Sequence, residues 1–184
     1  MDLSNENMIH VKKDGIEYLQ FKRLLEFKNL VHAYTLSVDG IDFNGKAEKS
    51  VTEHSYNMLC DVLEINRENV VKPNQTHTDC IKNVDNNYQK TSKEYLENVD
   101  GLLTSKPDTD LVLSFADCTP ILLYDPVKNV IGNIHSGWRG TAQKIGQKAV
   151  QKMISDYGSK PEDIIACIGP CIGKCHFEVD EDVK

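Results

Sequence analysis

The chain has 184 residues and a formal net charge of -7, with 40% hydrophobic and 27% charged residues. That length suffices for one domain with a sizeable core, and the composition is ordinary for a globular protein. Acidic residues outnumber basic ones, 28 to 21, which argues against a nucleic-acid surface but not against one local anion site.

The first residues, "MDLSNENMIHVKKDG", have no apolar h-region, and no apolar run reaches membrane-spanning length. Both features predict a cytoplasmic protein that binds no membrane. Its six cysteines, Cys60, Cys80, Cys118, Cys167, Cys171 and Cys175, are then expected as thiols, metal ligands or nucleophiles rather than disulfides.

Along the chain, "MIHVKKDGIEYLQF" reads as a β-hairpin turning at Asp14-Gly15. "SVTEHSYNMLCDVLEIN" opens with Ser50 and Glu53 in capping-box spacing, and Val51, Met58, Leu59, Val62 and Leu63 follow at helical intervals. "ENVVKPNQTHTDCIKNV" gives two short strands around the loop at 73–78. "LVLSFADCTPILLYDPVKNVIGNIH" gives three strands, broken at "ADCTP" and turned at "DPVKN". After "SGWRG", Ala142, Ile145, Ala149, Met153 and Ile154 predict one apolar helix face, with Gly158 as its C-cap. "EDIIACIGP" is a last short strand. With no repeat or linker, the pattern is that of one mixed α+β domain. The charged end "CHFEVDEDVK" has no closing Gly or Pro, so a missing C-terminal portion is expected.

Three polar groups fall at strand ends or loops of the central region: His77 in "NQTH", Cys118 in "ADC" and His135 in "IHSGW". Two imidazoles and a thiolate suit a zinc site with one open position. Core packing also produces a strand-end His and a Cys beside an apolar strand, so spacing alone does not decide. "SGWRGT" combines glycines, which admit close backbone approach, with a helix start and the planar fork of Arg139. That combination suits an anion, and a plain tight connection with a surface Arg is the alternative. Trp138 offers a stacking face or a core filler. Cys167, Cys171 and Cys175 recur in C-x3-C-x3-C spacing, which fits neither zinc pairs nor ferredoxin runs, so no cluster is expected there.

In order, "QTH", "DGLLTS", "ADCTPILLYD", "IHSGWRGT" and "IGPCIGKCHFEV" resemble the motifs of the YfiH-type family, also called multicopper polyphenol oxidoreductase or laccase-domain proteins. Ser136 stands where the family usually has Ala. No Arg occurs in "HAYTLSVDGIDFNG", where the family commonly has an Arg-Gly-Gly segment. The resemblance implies one YfiH-like domain over residues 1–184, an α-β-β-α sandwich of mixed sheets like the catalytic domain of cytotoxic necrotizing factor. It implies a metal site of His77, Cys118 and His135, with zinc rather than copper. It also implies a purine nucleoside phosphorylase for adenosine, inosine and guanosine-type nucleosides that deaminates adenosine and cleaves methylthioadenosine. Cys118, His135 and Asp117 are then the candidate catalytic residues. Arg139, Gly137 and Gly140 are the candidate phosphate and substrate contacts, and a homodimer is left open. The rivals are a Cys-His hydrolase or amidase with Cys118 as nucleophile, a copper phenol oxidase, and a non-catalytic binding module.

Overall fold

The computed structural model describes residues 1–43, 48–85, 88 and 93–178. Asn44-Gly45 and the final residues 179–184, both touched by the sequence expectations, lie outside them. The chain divides into two compact units, Met1–Asn69 and Val70–Lys184.

In the first unit, Asp14 and Gly15 take positive φ of 49° and 82°, the two-residue turn that matches strand twist. They join β1 (Met8–Lys13) to β2 (Ile16–Phe21), with Lys13 opposite Ile16. A short β3 (Tyr34–Thr35) pairs with the other edge of β2. Ile16 and Tyr18 on β2 share a buried cluster with Leu59 and Val62 of α1 (Lys49–Leu63). The helix begins earlier than the capping-box spacing suggests. Glu48 occupies the cap with no side-chain bond, and its carbonyl receives the N–H groups of Val51 and Thr52. Ser50 therefore lies inside the first turn, where its hydroxyl cannot serve as the cap.

The second unit opens with β4 (Val70–Val71), which pairs in parallel with β7 (Asp110–Leu111). Its main sheet has the order β10-β8-β9-β6-β5. The strands are β5 (Ile81–Asn83), β6 (Gly101–Thr104), β8 (Thr119–Asp125), β9 (Val130–Ser136) and β10 (Ile165–Ile168). β8 and β9 form the hairpin expected at "DPVKN". Asp125 Oδ1 accepts the N–H groups of Val127 and Lys128 at 2.8 and 3.0 Å, and so closes its turn.

One cluster unites Leu103, Leu123, Val130 and Ile134 of the sheet with Ile145, Ala149 and Met153 of α3 (Ile145–Tyr157). The second unites Val71, Val84, Leu96, Val99, Leu102 and Leu113. Each fully buried aliphatic side chain stabilises by about 1.5–3 kcal/mol. These clusters fix the strand ends from which the polar groups project.

Two local expectations change. Of "LVLSF" only Leu111 is in a strand, the end of β7, and the chain from 112 to 118 is irregular. Its Ser114 backbone bonds to the Gln75 side chain, so a neighbouring strand does not satisfy that residue. The single helix expected after "SGWRG" is two: α2 (Trp138–Ala142) and α3. Lys144 takes φ 62° between them, which re-aims the chain and leaves Ala142 exposed, and Ile154 within α3 is exposed as well.

Candidate metal centre

Three elements of the second unit bring the predicted donors together. His77 sits on the loop after β4, Cys118 immediately before β8, and His135 near the end of β9. One ligand atom from each lies within 4.8 Å of the others, and no other such group occurs among the described residues. His77 is exposed, Cys118 half-buried and His135 buried, so the cluster is held firmly on one side and open on the other. That arrangement suits a centre with a vacant coordination position.

The organising residue is Asp100, at the head of β6 and fully buried. Its Oδ1 accepts from His135 Nδ1 at 2.7 Å and from the His77 N–H at 3.0 Å. Its Oδ2 accepts the N–H of Thr78 at 2.7 Å, the Thr78 hydroxyl at 2.8 Å and the N–H of Thr76 at 3.3 Å. The His135 N–H also donates to the Asp100 carbonyl at 2.7 Å. Burial alone would raise the carboxyl, but the bonds from His135, Thr78 and Thr76 hold its pKa at about 2. An ionised carboxylate only accepts, so His135 carries its proton on Nδ1 and leaves the Nε2 lone pair for a metal.

Asp100 also explains an unusual backbone. His77 has φ 63°, a left-handed conformation that costs a residue with a Cβ about 1–2 kcal/mol. Three successive N–H groups, from Thr76, His77 and Thr78, converge on one carboxylate and offset that cost. One buried acid thereby orients two of the three donors.

The "SGWRG" glycines have distinct roles. Gly137 is the N-cap of α2. A Cβ there would stand 2.9 Å from His77 Cδ2, 3.3 Å from Cys118 Sγ and 3.6 Å from His135 Cε1. Only a glycine lets the turn lie against all three donors without displacing one. Gly137→Ala should cost about 1–3 kcal/mol in overpacking, seen as a ~10–100-fold weaker metal affinity. Chelator competition checks this, and an unchanged affinity would show that the donors give way freely. At Gly140, a Cβ would meet the Thr78 carbonyl oxygen at 2.9 Å, so this glycine lets α2 approach the His77 loop. Arg139 is exposed, with its guanidinium 4.1 Å from the Trp138 ring centroid. Trp138 is half-buried and holds the Arg139 fork in place rather than filling the core.

Asp117 is exposed, and its carbonyl accepts the Ile172 N–H at 2.9 Å, tying the "ADC" loop to the segment after β10. Burial first, then Asp117, Asp100 and Cys171, push the Cys118 thiol up. Cys167 is buried on β10, whereas Cys171 and Cys175 are exposed. The Phe115 ring lies 5.5 Å from that of His135, centroid to centroid. Sequence reasoning assigned no role to Asp100, Gln75 or Phe115, although the first two lie in the motifs "DGLLTS" and "QTH". The available signal for Asp100 was an acid opening the fully buried strand "GLLT", a position that requires a partner.

No helix among the described residues is long and apolar enough to cross a membrane. Residues 38–184 match the family described as Multi-copper polyphenol oxidoreductase laccase. The chain is 33% identical over 190 residues to a protein of Bacteroides thetaiotaomicron named purine nucleoside phosphorylase, covering 96% of this chain and 70% of that one. It is 34% identical over 148 residues to purine nucleoside phosphorylase YlmD of Bacillus subtilis, covering 78% of this chain but 52% of that protein. The crystal structure of Bacillus licheniformis hypothetical protein YfiH superposes with a TM-score of 0.74 at 29% identity, over 98% of this chain and 68% of that one. Motifs, fold and relatives agree: the chain belongs to the YfiH-type, multi-copper polyphenol oxidoreductase laccase family.

Proposed function

We propose that the chain carries the centre of a zinc-dependent purine nucleoside phosphorylase for adenosine, inosine and guanosine-type nucleosides, which also deaminates adenosine and cleaves methylthioadenosine. The observation that carries this reading is the convergence of His77, Cys118 and His135 within 4.8 Å, in a chain similar to proteins named purine nucleoside phosphorylase. Mixed nitrogen and sulfur donors fit zinc. Six His in the whole chain are too few for the imidazoles of a multicopper site. The single YfiH-like domain over 1–184, its α-β-β-α layering, a cytoplasmic location and a homodimer belong to the same proposal. The family resemblance supports the first two.

His77, Cys118 and His135 would hold the ion, which would supply Lewis-acid chemistry and would lower the pKa of a bound water to roughly 7. The remaining work falls to the chain. Asp100 keeps His135 in one tautomer and aims its ring. The turn at Gly137 and Gly140 brings backbone close to the centre, and Arg139 offers a planar fork for phosphate aligned with the ribose C1′. Asp117 is the candidate acid or base for the departing or entering proton.

A second reading also has an observation in its favour. Asp100, His135 and Cys118 together resemble the orienting acid, base and nucleophile of a Cys-His hydrolase. His77 weighs against it, because a nucleophile and base need no second imidazole within reach of the thiol.

The test is to incubate the full-length protein with inosine and adenosine, with and without phosphate, and to separate the products chromatographically. Inosine should yield hypoxanthine and ribose 1-phosphate only with phosphate, and adenosine should yield inosine without it. Turnover that survives a chelator but stops on thiol alkylation would replace this reading with the hydrolase.

Arg139→Ala should lower phosphorolysis by ~100-fold and deamination far less, because phosphate carries charge that water does not. Arg139→Lys should recover only part, since it keeps the charge without the fork. Equal losses in both reactions, measured at matched zinc content, would remove Arg139 from the phosphate site.

A further inference from the structure

The Asp100 carboxylate ties His77 to His135, but Cys118 arrives on a separate loop, the irregular stretch 112–118. That loop is joined to the His77 loop through Gln75. Its Nε2 donates to the Ser114 carbonyl at 2.9 Å, and its Oε1 accepts the Ser114 N–H at 2.7 Å, across 39 residues of sequence. We infer that Gln75 is a positioning residue that sets the spacing of Cys118 from His77 by pairing its carboxamide with both backbone groups of Ser114. This inference rests on the reading of His77, Cys118 and His135 as metal ligands.

The chemistry of the pairing is selective. A carboxamide presents a donor and an acceptor side by side, as a peptide group does, so Gln75 acts as one rung of a strand where the chain has no strand. Glutamate has the same length but no donor, and its charge would face the Ser114 carbonyl. Asparagine is a methylene too short. Gln75 lies two residues before His77, and Ser114 lies four before Cys118, so the clamp acts close to both donors without touching the metal. The His77 loop is also held by Asp100, which accepts the N–H groups of Thr76, His77 and Thr78. His77 is thereby held between two anchors, one leading to His135 and the other to Cys118. Supporting groups of this kind change metal affinity by ~10–100-fold when lost.

Cobalt(II) is the probe, because its thiolate charge-transfer absorption reports cysteine coordination, and the part of it that Cys118→Ser abolishes reports Cys118 rather than the exposed Cys171 and Cys175. The full chain is loaded with cobalt as wild type, Gln75→Glu and Gln75→Ala, and the absorption, affinity and thermal midpoint are recorded. Both variants should bind cobalt ~10–100-fold more weakly, with a weakened or shifted thiolate band at equal folded fraction. A purely structural contact would lower the midpoint and leave the band of the folded protein unchanged, which would overturn the inference. So would wild-type affinity in Gln75→Glu. If Gln75→Ala does not fold, Gln75→Glu, with its matching length, carries the comparison. A wild-type protein without any thiolate–cobalt band would overturn the ligand assignment itself, and the role of Gln75 with it.

Discussion

The wild-type chain is expected to carry close to one zinc ion per chain, and Cys118→Ser and His77→Ala should each lose most of it. The three donor atoms lie within 4.8 Å, and removing one from a three-ligand set leaves a two-point site that dilute zinc does not fill. The serine hydroxyl is a poor substitute for a soft thiolate. His77→Ala tests the donor that separates a metal centre from a Cys-His pair, since a nucleophile and base need no second imidazole. Elemental analysis of protein purified without added metal measures the effect. Full zinc retention in both variants would sink the ligand assignment and favour the hydrolase reading.

Asp100→Asn will destabilise the second unit by about 3 kcal/mol, the range for breaking a buried, multiply bonded charge, and will weaken metal binding as well. The amide that replaces one oxygen must face an N–H or the His135 ring, where it meets a donor with a donor. It also loosens the left-handed backbone at His77. Urea unfolding of the metal-free protein at neutral pH checks the stability, and an unchanged midpoint would show that the carboxylate contributes little.

The same residue gives a pH dependence with a definite sign. The Asp100 pKa falls from 3.8 to about 2 in the folded chain. The carboxylate therefore contributes about 2 kcal/mol, fully present above the unfolded value. That contribution is lost as pH falls through the folded one. Metal-free wild type and Asp100→Asn should approach each other in stability between pH ~4 and ~2, while their difference stays constant above that window.

Much of this protein was legible along the chain because the signals are local. Asp14-Gly15 accepts positive φ at two successive positions and, set between two strand-like runs, forms the hairpin turn. Ile145, Ala149 and Met153 recur every four residues and must share a helix face. Ser50 and Glu53 had the right spacing for a cap, yet Glu48 took the position, because backbone entry into a helix depends on what precedes it. Ala142 also fits the period, but the turn at Lys144 interrupts it, and Ile154, next to Met153 on α3, is exposed.

The residues His77, Cys118 and His135 could be chosen as donors from residue type and motif resemblance, since imidazole and thiolate chemistry is a property of the side chains themselves. Their convergence is tertiary. It depends on β6 and β9 pairing so that the His135 N–H meets the Asp100 carbonyl, and on one carboxylate reaching both the β9 ring and the loop after β4. Gln75 and Ser114 meet across 39 residues, and no periodicity encodes such a pair. The sequence by itself determined the hairpins and the helical faces, because each follows from local spacing, while the candidate donors came from residue type together with motif resemblance. Only the tertiary structure decided which buried acid orients the donors and why Gly137 must lack a side chain, because both depend on distances between segments remote along the chain.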